Sequence, residues 1–128
     1  MPVSQPLVWL SKRLASFKHA FQGIATLCRT QPNFIIHLVL GSIAVGAAII
    51  LQFSRIEWML LILTITTVIV AEAFNSAVEF LTDLTSPNFH PLAKKAKDVA
   101  AASVLLAAIG AVVMASVLYL PKLVSFLE

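Results

Sequence analysis

The sequence predicts an all-α membrane protein in which one amphipathic surface helix precedes three transmembrane helices. Of its 128 residues, 59% are hydrophobic and only 12% are charged, which is about half the charge of a typical soluble domain. Three apolar segments are each long enough to cross a bilayer, and the whole of 1–128 fits a single domain. The net charge of +3 does not require a nucleic-acid partner, because Lys and Arg beside apolar spans set membrane topology.

The first predicted helix covers residues 7–28 and is too polar to span a membrane. Its apolar side chains recur at alternating steps of three and four residues, which places them on one face of a helix. This stripe consists of Leu7, Leu10, Leu14, Phe17, Phe21, Ile24 and Cys28. Such a helix lies on the membrane surface or packs against the protein itself, and the pattern leaves both arrangements open.

The three predicted spans cover residues 34–53, 56–81 and 99–120. The first is a continuous apolar run, close to the roughly 20 residues that a helix needs to cross hydrocarbon. The second helix is expected to project into water as far as about Asp83, until the turn-forming segment 86–88 ends it. A basic connector is expected over residues 90–97, and Pro121 is expected to end the third helix.

The Lys and Arg residues predict the orientation. Seven of the nine lie either before the first span or just after the second. These seven are Lys12, Arg13, Lys18, Arg29, Lys94, Lys95 and Lys97. Only Arg55 and Lys122 lie on the other side. By the positive-inside rule, the N-terminus and the second connector are predicted to be cytoplasmic.

One face of the second predicted helix carries polar side chains. Glu72, Asn75, Glu79 and Asp83 follow one another at steps of three, four and four residues, so they fall within an arc of roughly 80°. Counted from the start of the helix, Glu72 lies about 24 Å along its axis, just inside a core of roughly 30 Å. Glu79 and Asp83 lie outside that core.

This graded set of carboxylates predicts phosphoryl transfer to a lipid hydroxyl. Glu72 can take a proton from an alcohol, the outer carboxylates can hold magnesium, and Lys97 can hold phosphate. The sequence has no G-x-x-x-x-G-K-[ST] motif, so a nucleotide would bind without a P-loop. Three other interpretations remain open at this point: an intramembrane proton or ion conduit, a non-catalytic membrane adaptor, and a polar network that only joins helices.

Two longer motifs resemble those of a known family. The stretch from Ala71 to Asp83 resembles the E-x-x-N-[ST]-A-[IV]-E-x-x-x-D signature of the prokaryotic diacylglycerol kinases. The block from His90 to Asp98 looks like the H-x-L-x-x-x-A-K-D block of that family, and Arg29 to His37 is similar to its motif before the first span. The resemblance implies a homotrimer in a bacterial inner membrane, with sites between subunits at the cytoplasmic interface and with ATP and Mg²⁺ as cofactors.

The resemblance also implies roles for individual residues. Glu72 would accept the proton of the lipid hydroxyl with support from Asn75, and Glu79 would bind metal and nucleotide. The remaining implied nucleotide contacts are His19, Asp83, His90, Lys97 and Asp98.

The chain departs from the family pattern at one metal-binding position. The family usually has Glu where this chain has Gln31, and a neutral amide is a weaker ligand for a hard cation. His37, just inside the first span, is interpreted as a packed histidine rather than a ligand.

The family acts on either of two lipid alcohols, diacylglycerol or undecaprenol. The segments 56–59 and 90–94 resemble the polyprenol branch more than the diacylglycerol branch.

Overall fold

The protein is all-α. The computed structural model describes the backbone of residues 5–128, with the side chains of Trp9 and of residues 12–128. The helices are α1 (Gln5–Thr30), α2 (Pro32–Ile50), α3 (Arg55–Thr85) and α4 (Pro91–Leu127). Within the described residues, α2, α3 and α4 are each long and apolar enough to cross a membrane. The predicted fold class, an all-α membrane protein, is confirmed.

The chain divides into two compact units, Met1–Pro32 and Asn33–Glu128, and each is described by itself. The first unit contains α1. The apolar side chains of its predicted stripe are exposed wherever they are described, as at Phe17 and Phe21. Leu7 and Leu10, which begin the stripe, have side chains outside the described residues.

In the second unit, a tight turn reverses the chain between α2 and α3. The N–H of Phe53 donates to the carbonyl of Ala48 (3.1 Å), and that of Gln52 donates to Ile49 (3.2 Å), which is the Schellman pattern of a helix end. Gln52 takes the left-handed φ of 50° that this motif requires. Ser54 then caps α3 through a capping box with Glu57. The apolar run to Phe53 therefore contains the end of α2 as well as the turn.

A small core closes this end of the unit, which we call the turn end (Leu51–Glu57). The buried residues there are Ala48, Phe53, Leu61 and Leu118, contributed by all three long helices and the turn. The Tyr119 ring lies 4.8 Å from that of Phe53, and its hydroxyl donates to the carbonyl of Ala44 (2.7 Å). Lys122 pairs with Glu57 at 3.2 Å. The turn end therefore joins α2, α3 and α4.

Tyr119→Phe is expected to lower the free energy of unfolding by about 1 kcal/mol, because it removes the hydroxyl that donates to the carbonyl of Ala44 on α2. Thermal unfolding in detergent micelles measures the change. Ser116→Ala, on the exposed side of the same helix, is the control and should stay within about 0.5 kcal/mol of the wild type. A Tyr119→Phe protein as stable as the wild type would show that the hydrogen bond to Ala44 does not stabilise the turn end.

Two predicted features of α4 are wrong. The segment 90–97 is not a connector: α4 begins at Pro91, because His90 caps it and proline at the first helical position already has helical φ. Pro121 does not end α4, which continues to Leu127. A proline removes one helical hydrogen bond, and the contacts of Tyr119 and Lys122 hold the helix in place on both sides of it.

Candidate active site

The inner part of the polar face predicted on α3 is buried, and exposure increases toward Asp83. Glu72 is 2% exposed, Asn75 6% and Ser76 0%. In contrast, apolar side chains of the same helix such as Phe74 are largely exposed. The helix thus turns its polar face inward and its apolar face outward, which is the arrangement expected in lipid rather than water.

Asn75 and Glu79 form the next part of this face. The Asn75 amide donates to a Glu79 carboxylate oxygen at 3.4 Å. The buried Oδ1 of Asn75 has no hydrogen-bond partner among the described residues. An unpaired buried acceptor costs roughly 1–3 kcal/mol, so this oxygen is suited to a donor that comes from outside the chain.

Ser76 is a buried polar residue that the sequence interpretation did not select. Its hydroxyl donates to the backbone carbonyl of Glu72 at 3.0 Å, one helical turn back. The only sequence signal was its position four residues after Glu72, on the same helix face. The bond fixes the backbone from which the Glu72 side chain projects.

Beyond Glu79, one ion pair joins the end of α3 to the start of α4, and a second lies within α4. Lys97 pairs with Asp83 across the two helices, and Lys94 pairs with Asp98 within α4. The four side chains are 38–65% exposed, so these pairs are worth less than about 1 kcal/mol each. Lys97 can therefore exchange its partner for phosphate at little cost. We call this part of the unit, from Glu72 to Asp98, the carboxylate end.

His90 has a structural role that the sequence did not predict. Its Nδ1 accepts the N–H of Leu92 at 3.2 Å and caps α4.

The structure brings Glu72, Asn75 and Glu79 together on one face of α3, and it brings Asp83 and Lys97 together between α3 and α4.

Two predicted site residues belong to the first unit. The Nδ1 of His19 lies 3.2 Å from the side-chain oxygen of Gln22, and Gln31 follows directly after α1. Their contribution to the site stays a prediction.

The carboxylates of this end fit a metal that the protein would hold together with other ligands. No group of three His, Cys, Asp or Glu side chains that could hold a metal occurs among the described residues. Mg²⁺ is usually held by one or two carboxylates, with phosphate oxygens and water completing its shell. Glu79, half-buried beside the unpaired Asn75 oxygen, can supply such a carboxylate.

Comparison with known proteins identifies the family. The family model described as prokaryotic diacylglycerol kinase matches residues 18–119, which is most of the chain. This chain belongs to the prokaryotic diacylglycerol kinase family. The resemblance seen in the two sequence motifs is confirmed, and so is the kinase class that it implied.

Relatives carry the names of both acceptor branches. The chain is 43% identical over 115 residues to a diacylglycerol kinase of Synechocystis, a match that spans 89% of this chain and 66% of that protein. It is 36% identical over 114 residues to the undecaprenol kinase of Bacillus subtilis, spanning 89% of this chain and 93% of the relative. It is also 37% identical over 95 residues to the diacylglycerol kinase of Escherichia coli, spanning 74% and 78%.

Proposed function

We propose that this protein is an ATP- and Mg²⁺-dependent kinase that phosphorylates the hydroxyl of a membrane lipid alcohol. Phosphoryl transfer to a lipid follows from the family. The use of ATP as phosphate donor, of Mg²⁺ as metal and of a lipid alcohol as acceptor is what we propose beyond the family. The observation that carries it is the buried carboxylate of Glu72, on the same helix face as the better-exposed Glu79.

Glu72 is the proposed proton acceptor. As the oxygen of the alcohol attacks the γ-phosphorus, its O–H bond breaks and the proton passes to the Glu72 carboxylate. As the new O–P bond forms, the bond between the γ-phosphorus and the bridging oxygen breaks. The bridging oxygen leaves as part of the diphosphate. Asn75 supports this step, because its unpaired Oδ1 can accept a hydrogen bond from one of the reacting groups and keep that group beside Glu72.

The carboxylate end beyond Glu72 is the proposed nucleotide site. Glu79 would hold Mg²⁺, with Gln31 as a second, neutral ligand. Bound Mg²⁺ would neutralise the negative charge of the phosphate oxygens. Lys97 would bind phosphate in place of Asp83, and the remaining proposed nucleotide contacts are His19, Asp83, His90 and Asp98.

Distance along α3 supports this division of labour. Glu72 and Glu79 are seven residues apart in sequence, which corresponds to roughly 10 Å of helix axis. This separation supports one role for each carboxylate, Glu72 toward the lipid and Glu79 toward the nucleotide.

The proposed setting is the inner membrane of a bacterium, with the carboxylate end in the cytoplasm, where ATP is found. The cluster of Lys94, Lys95 and Lys97 at the start of α4 supports this orientation. The proposed assembly is a homotrimer. Small residues along α4, such as Ala101, Ala102 and Gly110, are exposed and would allow close packing between subunits.

The acceptor is tested by comparing the two alcohols directly. Purified protein in mixed micelles receives ATP labelled at the γ-position, with equal mole fractions of diacylglycerol or undecaprenol. The segments resembling the polyprenol branch predict a higher kcat/KM with undecaprenol. A higher kcat/KM with diacylglycerol would reverse that assignment and leave the kinase proposal standing.

Lys97→Gln is expected to raise the KM for ATP by roughly tenfold to a hundredfold, because it removes a charge-assisted bond to phosphate. Initial rates at varied ATP measure the effect. Lys94→Gln is the matched control: it also breaks an ion pair near the start of α4, and its KM should stay within about threefold of the wild type. Equal changes in the two variants would contradict the role given to Lys97.

A further inference from the structure

His37 on α2 lies near the level of Glu72 on α3. The backbone of Gly41 lies against Ile65, since a β-carbon at position 41 would come within 3.1 Å of its side chain. Because α2 and α3 run antiparallel, four residues back from Gly41 on α2 correspond to four residues forward from Ile65 on α3. His37 is therefore level with Ile69, and Glu72 lies about 4.5 Å further along α3. Side chains tilt toward the N-terminus of their own helix, so His37 and Glu72 lean toward each other.

Electrostatics agree with this register. His37 on α2 and Glu79 on α3 are titratable side chains close enough to Glu72 to act on its carboxylate. On α4 the charged side chains of the first turns are Lys94, Lys95, Lys97 and Asp98. Lys97 is paired with Asp83, and Asp98 with Lys94. Glu72 therefore has an imidazole near it on a neighbouring helix, whereas Lys94 and Lys97 of α4 are paired with other carboxylates.

His37 also lines a cavity of about 330 Å³ between α2, α3 and α4. Three side chains with polar atoms line it, namely His37, Thr64 and Tyr119. Thr64 and Tyr119 donate to backbone carbonyls at 2.7 Å each. The His37 ring makes no hydrogen bond with any residue that the structure describes, so its nitrogens are available to the Glu72 carboxylate or to a group between them.

We propose that His37 is a positioning residue for phosphoryl transfer, one that holds the carboxylate of Glu72 toward the apolar cavity from which the lipid hydroxyl arrives. This inference rests on the proposed function. A buried carboxylate is costly without a hydrogen-bonding partner, and an imidazole N–H can supply that bond. The reacting bonds are unchanged: the proton of the alcohol still passes to Glu72, and His37 keeps that carboxylate oriented.

The test is a double-mutant cycle measured by transfer of labelled γ-phosphate. His37→Ala in the wild-type background is expected to lower kcat by roughly tenfold to a hundredfold, with the KM values for ATP and lipid within about twofold. In the Glu72→Gln background the same change is expected to have less than about a twofold effect, because residues that act through one another are not additive. Added imidazole should restore part of the activity of His37→Ala alone.

Ser42→Ala is the control on the exposed side of α2 and should match the wild type. Equal losses from His37→Ala in both backgrounds, or a loss that imidazole does not restore, would overturn the positioning role. A His37→Ala protein as active as the wild type would also overturn it. Absence of transfer by the wild-type protein would instead contradict the proposed function itself, so the two failures are distinguishable.

Discussion

Glu72→Gln is expected to lower kcat by roughly 10²–10⁴-fold, because it removes the group that takes the proton of the lipid hydroxyl. Gln has the same shape, so the buried site and the bond from Ser76 to the backbone of residue 72 should persist. Binding of ATP, measured by titration calorimetry or with a fluorescent analogue, should change less than threefold. The loss therefore falls on the chemical step rather than on nucleotide binding.

Glu57→Gln provides the matched control for this result. It makes the same substitution in the same helix, but at the turn end, where Glu57 completes a capping box and pairs with Lys122. Its kcat should stay within about twofold of the wild type, whatever small loss of stability it brings. If Glu72→Gln kept most of its kcat, or lost ATP binding to the same extent as kcat, Glu72 would not be the proton acceptor.

Glu79→Gln is expected to raise the Mg²⁺ concentration needed for half-maximal activity by tenfold or more, because it removes the charged ligand proposed for the metal. The effect should be large in this chain, since the second proposed ligand, Gln31, is neutral. Initial rates at fixed ATP and varied Mg²⁺ measure it. Circular dichroism of the purified variant checks that the helices are retained.

Glu72→Gln is the comparison for this second result. If the two carboxylates have separate roles, its residual activity should show the Mg²⁺ dependence of the wild type. A Glu79→Gln protein with unchanged Mg²⁺ dependence would contradict the proposed metal ligand. Identical Mg²⁺ shifts in both variants would contradict the division of the site into a lipid part and a nucleotide part.

The periodicity of the sequence predicted the helices and the inward polar face of α3. This succeeded because hydrophobic length and helical period are local properties, which a single segment carries. The burial of Glu72 and Asn75 follows the same face. The end of α3 at the turn-forming segment 86–88 was also predictable, since a proline restricts the residue before it.

Features that depend on pairing between distant residues were not predictable. The ion pair of Lys97 with Asp83 requires the packing of α4 on α3, and nothing in either segment alone specifies it. The start of α4 was misplaced because a basic segment beginning with His90 and Pro91 is also compatible with a loop. In the sequence alone Pro121 predicts a helix end because its local cost is large, whereas contacts of its neighbours Tyr119 and Lys122 with other elements hold the helix together.

The position of His37 illustrates the same limit. In the sequence it is one histidine near the start of an apolar span, and a packed role was the simplest interpretation. Only the antiparallel register of α2 and α3 brings it near the level of Glu72, and only the three-helix arrangement gives it a cavity. The depth of Glu72 in the membrane is the basis of its proposed lipid role, whereas its nearness to His37 depends on how the helices pack.

The central claim is tested most directly by the transfer of labelled γ-phosphate from ATP to a lipid alcohol, using purified wild-type protein in mixed micelles with Mg²⁺. We expect labelled lipid to accumulate with either diacylglycerol or undecaprenol, in proportion to enzyme and time, and to disappear when Mg²⁺ is chelated. Folded protein that transfers no label to either alcohol would contradict the proposed function. Proton flux in liposomes that depends on Glu72 but not on ATP would then point to the conduit instead.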